Sequence, residues 1–183
     1  MRRVSVVGST GSGKTTFAKA LAAKLGVPYV ELDALYWQAG WREASLEEFR
    51  ASVTSAIAGD AWVVDGNYWS RIDGLVWTRA DAVVWLDPPF AIRFARLLWR
   101  TLRRSWTRVE LWNGNRESLR EAFLSRDSLL LFALRTAPGT RRRGEARLAL
   151  PEFAHLRAYR FGSLAEAHRW LVTVERGPAA TRI

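Results

Sequence analysis

The chain has 183 residues, 49% of them hydrophobic, which is enough for one domain with a sizeable core and too few for two comfortable ones. It has no cysteine and only His155 and His168, so disulfides, thiol nucleophiles and cysteine-ligated zinc are excluded and a histidine-based triad has little to draw on. The formal net charge is +10, and residues 91–147 hold 14 arginines against five acids; this single basic block suits a polyanionic partner such as nucleic acid, nucleotide or phosphate.

Along the chain, apolar runs alternate with amphipathic segments, which predicts an α/β fold with a parallel sheet. Residues 4–7 read as a buried strand that begins almost at once, so no secretory leader is expected. Residues 13–25 read as a helix and 27–32 as a second strand. A helix over 45–58 follows, with Ser45 and Glu48 forming a capping box. Strands are predicted over 61–64 and 82–86. Asp87-Pro88-Pro89 then opens a long helix, with Asp87 as N-cap. A second helix is predicted from about 117 to 135, and 136–150 reads as a basic loop. Residues 155–161 give a fifth strand, and Ser163 with Glu166 starts a last helix ending near 175. A single domain is expected over 1–176, with a disordered tail over 177–183. The longest apolar run, 129–134, is far too short to cross a bilayer. A cytoplasmic protein without a membrane partner is therefore expected.

One motif fixes the chemistry. Gly8-Ser9-Thr10-Gly11-Ser12-Gly13-Lys14-Thr15 fits the P-loop pattern without a mismatch, with a strand before it and a helix after it. Its glycines let backbone N–H groups turn inward around phosphate oxygens, and the helix start adds its positive end. Gly8, Gly11, Ser12, Gly13, Lys14, Thr15 and Thr16 are the candidate ATP-binding residues. Lys14 reaches for the β- and γ-phosphates and Thr15 offers a hydroxyl to Mg²⁺. There is no base-reading N-K-x-D motif of the GTPase type, and no glutamate directly follows Asp65 as in motor ATPases. That leaves a phosphotransferase, in which positioning and charge neutralisation do most of the catalysis.

Two carboxylates end strands on the phosphate side of such a sheet. Asp65 is the second candidate metal residue beside Thr15. Asp33 is placed to accept a proton from an acceptor hydroxyl or to hydrogen-bond the acceptor; capping a helix is its bland alternative. Tyr36, Trp37 and Trp41 could wall an acceptor pocket or simply be core. Residues 96–117, RLLWRTLRRSWTRVELWNGNRE, hold six arginines and three tryptophans. On their own they suit a nucleic-acid grip, a membrane-facing helix or a moving part of an enzyme.

With these motifs in order, the sequence resembles the adenylate-kinase-like P-loop proteins, and within them a group labelled DNA topology modulation proteins. The resemblance rests on Gly8 to Thr15, Asp33 with Trp37 and Gly40-Trp41, Asp65-Gly66-Asn67-Tyr68, Leu86-Asp87-Pro88-Pro89 and Gly114-Asn115-Arg116-Glu117. It implies a three-layer sandwich around a five-stranded parallel sheet in order 2-3-1-4-5, an acceptor-binding insertion over about 34–60 and an Arg-rich helical lid over about 100–118. It also implies that lid arginines meet the transferring phosphoryl group, with Arg100, Arg104 and Arg116 the first choices beside Lys14 and Asp33. The chain departs from true adenylate kinases after Asp65-Gly66, where their proline and adjacent arginine are missing and Arg71 is out of register. AMP is therefore not assigned as acceptor; shikimate- and gluconate-kinase-like relatives also carry an aspartate after strand two. The expected function is an ATP- and Mg²⁺-dependent small-molecule kinase of the nucleoside or nucleotide type. The rival expectation is an ATP-binding, nucleic-acid-associated protein that grips DNA or RNA with its basic segment.

Overall fold

The computed structural model describes residues 1–107, 110–115 and 129–175. In chain order the elements are β1 (Arg3–Gly8), α1 (Lys14–Leu25), β2 (Tyr29–Glu31), α2 (Leu32–Tyr36), β3 (Trp37–Gln38), β4 (Arg42–Glu43), α3 (Leu46–Ala56), β5 (Trp62–Asp65) and α4 (Trp69–Trp77). Then come β6 (Ala82–Leu86), α5 (Phe90–Thr107), α6 (Leu129–Leu148), β7 (Arg157–Phe161) and α7 (Leu164–Thr173). Five strands form an all-parallel sheet in order β2-β5-β1-β6-β7, which counted along the chain is the expected 2-3-1-4-5. β3 and β4 make a separate antiparallel hairpin.

The central strands are apolar throughout because helices cover both faces of the sheet. Val4, Val6, Val63, Val84 and Leu86 pack with Phe17, Leu21 and Leu25 of α1 and Ala167 of α7. Their alternating neighbours Val7, Trp62, Val64, Val83 and Trp85 pack with Tyr36, Phe49, Val53, Ile72 and Trp77 on the other face. The two faces together make an α/β three-layer sandwich. Ser5 is the polar exception inside β1, and its hydroxyl accepts from Trp77 Nε1 at 3.2 Å. The capping box at α3 is present in full: Ser45 Oγ accepts from the Glu48 N–H, and Glu48 accepts from the Ser45 N–H.

Two local expectations fail, and both places meet in one ion-pair network that only the tertiary fold assembles. Asp87 does not cap α5, which starts three residues later at Phe90. Its carboxylate instead accepts from the Arg160 guanidinium on β7, with Arg141 Nε 3.8 Å away. The stretch 136–150 is mostly helix rather than loop, since α6 runs to Leu148 despite Gly139 at φ +85°. Glu145 accepts from Arg141 Nε one turn back at 3.2 Å and from Arg160 Nη1 at 2.7 Å. These bonds hold the basic end of α6 on the sheet edge. Of the helix expected over 117–135, only 129–135 lie within the described residues, and they are helical. The tail over 177–183 lies outside the described residues.

Candidate active site

The P-loop spans the gap between β1 and α1 at the carboxyl edge of the sheet. Gly13 is the N-cap of α1 in a left-handed conformation, φ 89°, with no side-chain cap. The first N–H groups of α1 are thus left for whatever the loop encloses. Gly11 has φ 81°, and a Cβ there would sit 2.2 Å from the Arg93 carbonyl oxygen. Only glycine lets the first turn of α5 close down on the loop this way. Ser12 is fully buried and its Oγ has no hydrogen-bond partner. Thr16 is exposed on the first turn of α1. The loop's first residue is gripped by a side chain: Asn67 Nδ2 donates to the Gly8 carbonyl at 2.7 Å, and Asn67 Oδ1 accepts from the Gly8 N–H at 3.0 Å.

Asp65, the last residue of β5, is 3% exposed. Burial pushes its carboxyl above the usual carboxylate range, while the Lys14 ammonium and the Thr15 hydroxyl draw it back and Asp33 pushes it further up. The Thr15 hydroxyl is near enough to be felt, short of a well-formed hydrogen bond, and Asp65 Oδ1 has no partner. Tyr29 donates its hydroxyl to Asp65 Oδ2 at 3.1 Å. Asp33 lies in the first turn of α2, and its Oδ1 accepts from Tyr68 at 2.8 Å. Burial first, then the facing carboxylate, raises both phenols well above their ordinary value. Each acid is therefore steadied by a tyrosine that stays a donor.

These groups can hold a nucleotide and a hard cation. Ser12 Oγ and Asp65 Oδ1 are buried polar atoms without partners, and leaving such a group unpaired costs roughly 1–3 kcal/mol. A bound phosphate and its cation would relieve that cost. The Thr15 hydroxyl and the Asp65 carboxylate are oxygen donors of the kind Mg²⁺ prefers, since it keeps several waters and takes one or two protein oxygens beside phosphate.

An aromatic wall stands beside Asp33. Tyr36, Phe49 and Tyr68 form one ring cluster, with centroids 4.8–5.1 Å apart. Trp37, Trp41 and Trp112 continue it at 5.6 and 6.5 Å. Arg71, out of register in the sequence, lies 4.9 Å over the Tyr36 ring and 3.6 Å from Glu43. The segment after α5 docks on this hairpin. Buried Asn115 accepts from the Trp41 N–H and donates to the Gln38 carbonyl, both at 2.8 Å. Asn113 donates to the carbonyls of Ala34 and Trp37. Trp41 (φ 58°) and Asn113 (φ 53°) are both left-handed without being glycine, a strain of roughly 1–3 kcal/mol each that these bonds hold in place.

Lys14, Thr15, Asp65 and Asp33 are thus brought into one cluster. Arg100 and Arg104 are half-buried on α5, on the flank that continues from Arg93. At 1.5 Å per residue they stand about 10 and 16 Å along the helix from the point where Arg93 meets Gly11. Arg116 lies outside the described residues. Sequence reasoning gave no role to Tyr29, Asn67, Tyr68, Asn113, Asn115 or Arg93, although Asn67, Tyr68 and Asn115 stand in the stretches that carry the resemblance. Tyr68 and Asn67 had a signal, since they directly follow Asp65-Gly66; the others act through contacts across about 36 to 82 positions.

A family model described as "ATPase family associated with various cellular activities (AAA)" matches residues 4–64, which includes the P-loop and Asp33. No curated protein matches the chain. Among solved structures, a shikimate kinase from Bacteroides thetaiotaomicron is 17% identical with a TM-score of 0.50, covering 93% of this chain and 94% of that one. A shikimate kinase from Acinetobacter baumannii in complex with shikimate is 18% identical with a TM-score of 0.51, covering 93% and 91%. A gluconokinase from Sinorhizobium meliloti 1021 is 20% identical with a TM-score of 0.50, covering 93% and 91%. At these identities the likeness is one of fold: the chain shares the α/β three-layer sandwich of these kinases.

Proposed function

We propose that this protein is an ATP- and Mg²⁺-dependent small-molecule kinase, with Asp33 serving the acceptor and the P-loop serving the nucleotide. The observation that carries the reading is the cluster itself. Buried Asp65, with one unpaired oxygen, lies where the charges of both Lys14 and Asp33 reach it. Thr15 and Asp65 would hold Mg²⁺, which neutralises charge on the phosphate oxygens when bound. Gly8, Gly11, Ser12, Gly13 and Thr16 shape and donate to the phosphate cradle, and Lys14 offsets the charge on the β- and γ-phosphates.

In this reading the acceptor hydroxyl rests on Asp33, whose Oδ1 is already fixed by Tyr68, leaving the other oxygen to take the proton. The acceptor oxygen bonds to the γ-phosphorus as its bond to the β-bridging oxygen breaks, and ADP leaves. Arg100, Arg104 and Arg116 are proposed to meet the transferring group, where a guanidinium fork suits three spread oxygens. The aromatic wall and Arg71 favour a flat acceptor of the nucleoside or nucleotide type over a small aliphatic hydroxy acid. Membership of the group labelled DNA topology modulation proteins is part of this proposal.

The test is a phosphoryl-transfer screen of nucleosides, nucleotides, sugars and hydroxy acids with Mg-ATP, with coupled detection of ADP and Lys14→Ala as the control. Transfer to one acceptor class, absent in Lys14→Ala, is the expected result. No transfer to any class, with DNA affinity that falls steeply between low and physiological salt, would replace the kinase by a backbone binder.

A further inference from the structure

Helix α5 presents three distinct faces. Stepping about 100° per residue, Arg93, Arg100 and Arg104 fall within about 40° of one another and form the flank toward the P-loop. Leu97 and Thr101, 0% and 1% exposed, form the buried face. The third face is turned outward and is apolar: Ile92 is 43% exposed, Trp99 71%, Leu102 41% and Trp106 87%. Arg96 and Arg103 lie along one edge of it, both exposed. Neither is ion-paired among the described residues.

Two indoles and two large aliphatic side chains in water are a hydrophobic patch that needs an occupant. Charge selects which one. Residues 90–107 contain five arginines and no Asp or Glu. A second copy of this chain laid face to face would crowd arginine against arginine with no carboxylate between them. An anionic partner removes that conflict. Nucleic acid would supply the charge but leave Ile92 and Leu102 with nothing to stack on. A lipid boundary takes indole, isoleucine and leucine alike. From Ile92 to Trp106 the stripe runs about 21 Å along the axis, the footprint of a helix lying in the plane of a membrane surface.

We propose that the outward face of α5 is a peripheral docking surface for an anionic lipid bilayer. Trp99 and Trp106 enter the boundary between headgroups and acyl chains, and Arg96 and Arg103 meet the lipid phosphates. No described helix is long and apolar enough to cross a membrane. The surface is therefore a contact in the interface plane, which the spanning-length criterion applied to the sequence does not address. It leaves the Arg93–Arg100–Arg104 flank facing the P-loop side.

The full chain is co-sedimented with vesicles of phosphatidylglycerol and phosphatidylcholine, and separately with pure phosphatidylcholine. Binding to the anionic vesicles only, weakening with salt, is expected. Arg103→Gln lowers the partition coefficient about fivefold, the worth of one arginine near an anionic surface. The Trp99→Ser/Trp106→Ser double variant lowers it about tenfold or more, while keeping the wild-type circular dichroism and the Mg-ATP thermal shift. In the wild type, acyl-brominated lipid quenches tryptophan emission, a readout that needs no variant. The proposal is overturned by any of three results: no binding of wild type to anionic vesicles; binding without bromine quenching; or a dimer in solution that the double variant abolishes.

Discussion

Asp65→Asn separates what the site does for the fold from what it does for a ligand. Asp65 is a carboxyl group at 3% exposure with one oxygen unpaired, and burial raises its pKa. A group whose folded pKa is raised above its unfolded value stabilises the fold only while protonated. Its contribution is full below the unfolded value, near 4, and is lost as pH rises through the folded value. Above the folded value Asp65 therefore works against folding. Asparagine keeps an acceptor for the Tyr29 hydroxyl and removes the buried charge. The expected gain is on the order of 1 kcal/mol, or about 2–4 °C in Tm for a chain of this size. The gain should shrink as pH falls, and vanish below about 4, where Asp65 is protonated in both states. The ligand side has the opposite sign. Mg-ATP at a hundred times its Kd should raise the wild-type Tm by roughly 5–10 °C, and Asp65→Asn should lose most of that rise. Thermal melts across pH, with and without Mg-ATP, measure both. A variant that is less stable when empty and keeps the full Mg-ATP shift would refute the electrostatic account of Asp65 and its place as a metal residue together.

Asp33→Asn should leave Mg-ATP affinity by calorimetry within about twofold and suppress transfer to the acceptor by about 10²-fold or more; normal transfer would return Asp33 to a local structural role. Arg100→Ala and Arg104→Ala, assayed by steady-state kinetics, should each cost on the order of 10²-fold in turnover if they meet the transition state, with a smaller loss in ATP affinity. Asn67→Ala deletes both bonds to Gly8 and should weaken ATP binding while costing roughly 1–3 kcal/mol of stability in denaturant melts. Asn115→Ala frees the hairpin end at Trp41, so tryptophan emission and proteolysis within 37–43 should both change without any ligand.

The sequence by itself determined the parts that depend on neighbours in the chain. Gly8 to Thr15 set a phosphate cradle because glycine spacing, lysine and helix start all sit within eight residues. Strands at 4–7, 61–64 and 82–86, apolar but for Ser5, implied a sheet covered on both faces, and Ser45 with Glu48 fixed a helix start through a bond three residues long. The tertiary structure alone decided the rest, because those groups act across the fold. Local rules made Asp87 a helix cap and 136–150 a loop. Arg160, reaching Asp87 over 73 positions and Glu145 over 15, joins both in an ion-pair network that no local rule anticipates. No spacing rule pairs Tyr29 with Asp65, Tyr68 with Asp33 or Asn115 with Trp41; parallel strands and a folded-back segment bring them together. For α5 the sequence supplied an arginine-and-tryptophan helix with several uses. Only the packing of Leu97 and Thr101 inward decided that the tryptophan stripe is turned outward, on a different side of the helix from the Arg93–Arg100–Arg104 flank.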